Sequence, residues 1–118
     1  MKNITCIDDL RQLARRRVPR AFFDYADSGS YQEETLRANR ADLEAIKLRQ
    51  RILVDVSQRS LATTVIGQKV SSPMILAPVG LLGMQHGDGE IRSALAASAA
   101  GIPFTLSTMS IGSIEDVA

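Results

Sequence analysis

The stretch Pro73 to Glu90 constrains this chain more than any other. Met74 to Ala77 is a short, wholly apolar run opened by a proline. A run of that kind reads as a buried strand, not as half of an amphipathic element. Pro78-Val79-Gly80 then stops it. Proline offers no N–H to a ladder, and glycine lets another group approach the backbone. A glycine-punctuated loop follows, and Asp88 to Glu90 opens an alanine-rich helix. Strand, irregular loop and helix make half of a βαβ unit. In parallel α/β folds ligands lie beyond the carboxyl ends of the strands, so Pro78 to Gly80 is the candidate floor of a site.

The same arrangement repeats once. Gly89 to Ala100 predicts a helix rich in small residues, with Gly101 at its C′ position. Ile102 to Leu106 predicts a second strand, with Pro103 near its start, where proline is tolerated. Ser107-Thr108-Met109-Ser110 follows at its carboxyl end. Ser113 with Asp116 predicts a cap for one last helix. Two parallel strands leave unpaired edges, and eight are needed to close a βα barrel. The chain therefore reads as the opening portion of a longer protein.

Upstream of residue 60 the pattern is helical. Thr5 with Asp8 suggests a helix start, and Ile7, Leu10, Leu13 and Ala14 carry the helical period to Arg17. Arg15, Arg16, Arg17 and Arg20 form a basic run, read as a solvated helix face and not as a phosphate or membrane contact. Pro19 opens a second helix to about Asp27, with Phe22 and Phe23 as core candidates. Tyr25 stands apart, because a buried hydroxyl needs a partner. Ser30 with Glu33 predicts a capping box and a third helix from Tyr31 to about Asp42. Ile46 to Val54 shows no helical period and reads as extended chain crossing a surface. Thr63 to Ile66 and Lys69-Val70 flank Gly67-Gln68, which predicts a small hairpin acting as a lid or plug.

Composition closes off several classes. The 118 residues suit one small domain, and 45% apolar content is ordinary for a globular core. A net charge of +1 gives no global attraction to nucleic acid or anionic membrane. A single cysteine, Cys6, excludes an internal disulfide framework and fits a reducing compartment. No apolar stretch is long enough for a membrane span, and the acidic amino-terminal stretch from Met1 to Asp9 is no secretion signal. Gly87-Asp88-Gly89 is followed by Arg92 where a dinucleotide fingerprint needs its third glycine. His86, the only histidine, reads as a polar loop residue, and no metal-ligating set is present.

Four stretches together resemble one family: Phe23-Asp24-Tyr25 with Ser28-Gly29; Glu34-Thr35-Leu36-Arg37-Ala38-Asn39; Leu76-Ala77-Pro78-Val79-Gly80-Leu81; and Gly101 to Ser110 continuing through Ile114-Glu115. In this order they resemble the amino-terminal part of the FMN-dependent α-hydroxy-acid dehydrogenases and oxidases. Pro78-Val79-Gly80-Leu81 with Leu48 to Leu53 leans toward the L-lactate dehydrogenase branch. The resemblance implies an α/β fold, the N-terminal portion of a (β/α)8 TIM barrel. Residues 1–60 would form a helical extension and extended segment, 61–72 a hairpin, and 73–118 the first two βα units of a single incomplete domain.

The resemblance also implies chemistry. The cofactor is FMN and the substrate a small, L-lactate-like α-hydroxy acid, oxidised to the 2-keto acid. Electrons pass to a quinone, oxygen or a cytochrome. Tyr25 matches the tyrosine that binds the substrate carboxylate. Pro78, Val79 and Gly80 match the loop whose backbone lies against the flavin, Ser107 the serine that hydrogen-bonds it, and Met109 a variable residue of the pocket wall. Many members carry threonine-alanine where Val79-Gly80 stands, and a proline where Gly87 stands. The family's basic histidine, a lysine and its arginines lie downstream, so no catalytic group is expected within residues 1–118, and this piece alone is expected to be inactive. The full-length protein would be a homo-oligomer in the cytoplasm, with peripheral attachment to the inner membrane known among members. The contrasting reading is a truncated, non-catalytic product serving only as a folding or assembly module.

Overall fold

Helix α1, Ile7–Arg17, carries Asp8 and Asp9 in its first turn and three arginines in its last. That order opposes the helix dipole favourably at both ends. The computed structural model describes residues 4–118 of the chain. Met1 to Asn3, part of the stretch judged not to be a secretion signal, lie outside them. The N-cap is Cys6, not Thr5, and the reaching carboxylate is Asp9, not Asp8. Asp9 accepts from the Thr5 N–H and hydroxyl, both at 2.9 Å, and from the Cys6 N–H at 3.3 Å. These donors hold the Asp9 pKa below the ordinary carboxylate value.

Helix α2, Arg20–Asp27, starts after Pro19 and buries Phe23. Arg11 on α1 forks onto Asp27 at its end, with Nη2 to Oδ2 at 2.9 Å. The basic run is exposed, as its reading as a solvated face requires. Helix α3 runs Glu34–Ala45, three residues later than the capping-box spacing predicts. Glu33 adopts the left-handed conformation (φ 59°), and its carboxylate accepts from the Gly29 N–H at 3.0 Å. The Ser30–Glu33 box therefore does not form; the side chain closes the preceding turn instead. Residues 46–62 carry no regular element and are exposed throughout.

The hairpin pairs β1, Thr63–Val65, with β2, Gln68–Val70, antiparallel in the register Val65↔Gln68. The turn is Ile66-Gly67, one residue earlier than expected. Both central residues have positive φ (49° and 77°), the signature of a type I′ turn, whose twist matches the strands. β2 ends on buried Val70. Beyond it, the Ser71 N–H donates to Gly101 O (2.9 Å) and its hydroxyl to Ala100 O (2.6 Å).

The two expected strands shrink to one parallel bridge, Leu76↔Phe104. The Leu76 N–H donates to Pro103 O (3.0 Å), and the Thr105 N–H donates to Leu76 O (3.1 Å). The neighbouring prolines 73, 78 and 103 withhold donors, and among the described residues neither segment has a partner on its outer edge, so the ladder does not extend. The expected helix at Gly89 appears as α5, Gly89–Ala100, ended by Gly101 at φ 68°. The loop before it contains a short unexpected helix, α4, Leu82–Gln85. α6, Ile114–Val117, is capped by the Ser113 hydroxyl, which accepts the Asp116 N–H at 3.1 Å.

Buried apolar side chains among the described residues are few: Phe23, Val70 and Ala97. The radius of gyration is 17.6 Å, against about 13–14 Å for a compact domain of this length. Leu48, Leu53 and Ile66 are each more than nine-tenths exposed. Large apolar faces thus stand open around a small packed centre made by α4, α5 and the bridged segments.

Candidate functional site

The bridge fixes the geometry of the site. Beyond Leu76 the chain passes through Pro78, Val79 and Gly80; beyond Phe104 it passes through Ser107 and Met109. Both loops leave from the carboxyl ends of the bridged segments, and the Leu81 N–H donates to Met109 O at 2.9 Å. A Cβ built on Gly80 would stand 3.5 Å from Met109 Cβ and 3.7 Å from Ser107 Oγ. Gly80, Ser107 and Met109, far apart in sequence, are therefore neighbours.

Each residue is presented differently. Ser107 is half-buried, and its hydroxyl oxygen accepts the Met109 N–H at 3.1 Å, leaving its own proton free to donate elsewhere. Neither the Val79 nor the Gly80 N–H has a partner among the described residues. Pro78, Val79 and Gly80 are exposed, and Met109 is exposed beside them. The result is an open ledge of backbone donors, one hydroxyl and apolar side chains. Such a surface can orient a flat heteroaromatic group without adding charge.

Tyr25 is not brought into this group by any direct contact. It stands 64% exposed on α2. What ties its helix to the ledge is Gln85 of α4, whose Nε2 donates to Phe22 O at 2.7 Å. His86, which ends α4, is exposed, and its Nδ1 lies 2.6 Å from Gly87 O. The hairpin sits at the other end of the bridged pair. Its anchors, Ala100 and Gly101, precede the second segment, whereas the ledge follows it. The hairpin thus lies at the amino end and not over the loops.

Glu90 is the residue that spacing rules missed. It is 2% exposed at the start of α5. Its Oε1 accepts the Gly83 N–H (3.2 Å) and the Ile111 N–H (3.1 Å). Burial opposes its ionisation, but donors from Ile111, its own backbone, Gly83 and Leu82 outweigh that, and the pKa lies below the ordinary value. A signal existed: Glu90 precedes Ala97 by seven residues, so the two share one helix face, and Ala97 is buried. Among the described residues no group of His, Cys, Asp and Glu could hold a metal ion.

This ledge lies beyond one parallel bridge and is backed by the small-residue helix α5. The chain belongs to the FMN-dependent dehydrogenase family, whose description matches residues 14–118. It is 53% identical over 115 residues to L-lactate dehydrogenase of Haemophilus influenzae (strain PittEE), covering 98% of this chain and 30% of that protein. A soluble mutant of the membrane-associated (S)-mandelate dehydrogenase from Pseudomonas putida superposes with a TM-score of 0.89 at 40% identity, covering 98% of this chain and 33% of that one. A mandelate oxidase gives 0.89 at 34% identity, covering 98% and 34%. The chain spans about a third of the length of the relatives it matches.

Proposed function

We propose that this chain is the amino-terminal part of an FMN-dependent enzyme that oxidises an L-lactate-like α-hydroxy acid to its 2-keto acid. The observation that carries the reading is the meeting of Gly80 with Ser107 and Met109 at the carboxyl ends of two parallel segments, in a chain of this family. Residues 73–118 supply the first two βα units of a (β/α)8 barrel, residues 61–72 its plug and residues 1–60 the helices beside it. The bare faces around Leu48, Leu53 and Ile66 support this, since a barrel would pack against them.

The residues present suit the flavin. The free N–H groups of Val79 and Gly80 and the unspent proton of Ser107 would donate to the flavin, and Pro78 would help to hold it. FMN, when bound, accepts the two electrons that leave the hydroxy acid. Tyr25 donates its hydroxyl proton to the substrate carboxylate, and Met109 walls the pocket beside the substrate's side chain. The full protein works as a homo-oligomer and hands electrons to a quinone, oxygen or a cytochrome. No described helix is long and apolar enough to cross a membrane; in this reading the full protein's attachment to the inner membrane is peripheral.

The test is to purify the full-length product that carries this chain. It should bring down FMN and reduce an artificial dye when L-lactate is added. A product that holds no FMN when supplied with it, or that holds FMN and leaves L-lactate, (S)-mandelate and glycolate untouched, overturns the reading.

A further inference from the structure

We propose that Glu90 is a positioning residue that sets the flavin-facing loop of residues 107–112 against the loop of residues 80–83. The role rests on the FMN reading above. One carboxylate oxygen accepts N–H groups from both sides, Gly83 at 3.2 Å and Ile111 at 3.1 Å. The side chain is 2% exposed, so water does not compete for its carboxylate. The clamp lies next to the ledge in both directions. Gly83 is two residues past Leu81, and Ile111 is two residues past Met109. Leu81 and Met109 are themselves joined backbone to backbone.

The packing leaves the clamp little slack. A Cβ on Gly83 would fall 3.1 Å from Ile111 Cβ and 3.3 Å from Glu90 Oε2. A Cβ on Gly89 would fall 2.9 Å from Leu82 O, so the start of α5 lies close against α4. Without the carboxylate, the part-buried N–H groups of Gly83 and Ile111 lose their acceptor and the loops separate. Glu90 touches neither Ser107 nor Met109; it acts on them through Ile111 and Leu81. Its contribution is chiefly geometric: a neutral acceptor of the same shape keeps the contacts to Gly83 and Ile111, each somewhat weakened.

The experiment uses the full-length FMN-bound protein and the variants E90Q and E90L. Amide exchange at Gly83 and Ile111 should quicken about tenfold in E90L and stay near wild type in E90Q. FMN should bind about tenfold more weakly to E90L, with a shifted visible flavin circular-dichroism band, and should bind normally to E90Q. If E90L fails to fold, G83A keeps the carboxylate but presses it away from Ile111; FMN affinity should then fall several-fold. Wild-type FMN affinity in E90L, or in G83A where E90L does not fold, overturns the role. So does equal loss in E90Q and E90L, which would make the charge and not the geometry responsible. A wild-type protein that takes up no FMN overturns the proposed function, and this role with it.

Discussion

Leu81 donates its N–H to the carbonyl of Met109 at 2.9 Å, joining the loops that follow the two bridged segments. Ser107 adds a second tie within its own loop by accepting the Met109 N–H. The two ties make separable contributions. Leu81 aligns one loop with the other, and Ser107 shapes the ledge and keeps a proton to donate.

Ser107→Ala should therefore weaken FMN binding while costing the fold little. Met109 is exposed, so water replaces the lost acceptor, and the stability loss stays within about 1 kcal/mol. Flavin titration and thermal unfolding of the full-length protein measure the two effects. Unchanged FMN affinity would remove Ser107 from the cofactor site.

Tyr25→Phe should leave stability within about 0.5 kcal/mol of wild type, since the side chain is 64% exposed. Substrate affinity should fall about tenfold, the worth of one hydrogen bond to a charged carboxylate. Steady-state kinetics with L-lactate reports it as a raised KM. A KM unaltered by the change would take Tyr25 out of substrate binding.

Legibility in the sequence followed the range of the interactions. α5 and its Gly101 stop were readable because alanine content, a glycine and an adjacent strand agree locally. The Ser113 cap was readable for the same reason. α3 began late because Glu33 had a better use for its carboxylate, at Gly29, than a capping box. The Ile66-Gly67 turn was misplaced by one residue because β-branched residues rarely accept positive φ, so Gly67 looked like the first turn position. Pro78 to Gly80 were readable as the end of an apolar run, whereas Ser107 and Met109 came from family resemblance. Their meeting depends on hydrogen bonds between loops some thirty residues apart, which no local pattern encodes. Glu90 escaped because a buried carboxylate is recognised by its donors, and those lie in two other segments.

Ile66→Asn should stabilise the hairpin by about 1 kcal/mol. Ile66 holds φ 49°, a conformation that costs a β-branched residue about 1–2 kcal/mol and asparagine less. Its side chain is 92% exposed, so no packing among the described residues is lost. Amide exchange at Gln68 and Val70, whose N–H groups face β1, should slow. Faster exchange would mean that Ile66 packs against chain beyond these residues and that this packing outweighs the strain.

The Arg11–Asp27 pair should make the docking of α1 on α2 sensitive to acid. The Arg11 guanidinium, above all through its hydrogen bond, holds the Asp27 carboxyl below the ordinary value; burial works the other way, and the charges of Arg11 and Arg15 add to the lowering. A carboxyl depressed in the folded state stabilises it fully above the unfolded value of about 4. That contribution is lost as pH falls from there through the lower folded value. Arg11 and Asp27 are 47% and 27% exposed, which limits the effect to about 1 kcal/mol. Asp27→Asn should lower stability at pH 7 by that amount, and the gap to wild type should close below pH 4. Chemical denaturation across pH 2 to 7 follows the gap. A difference that stays constant down to the lowest pH would show that Asp27 contributes by shape alone and that its ionisation is irrelevant to the docking.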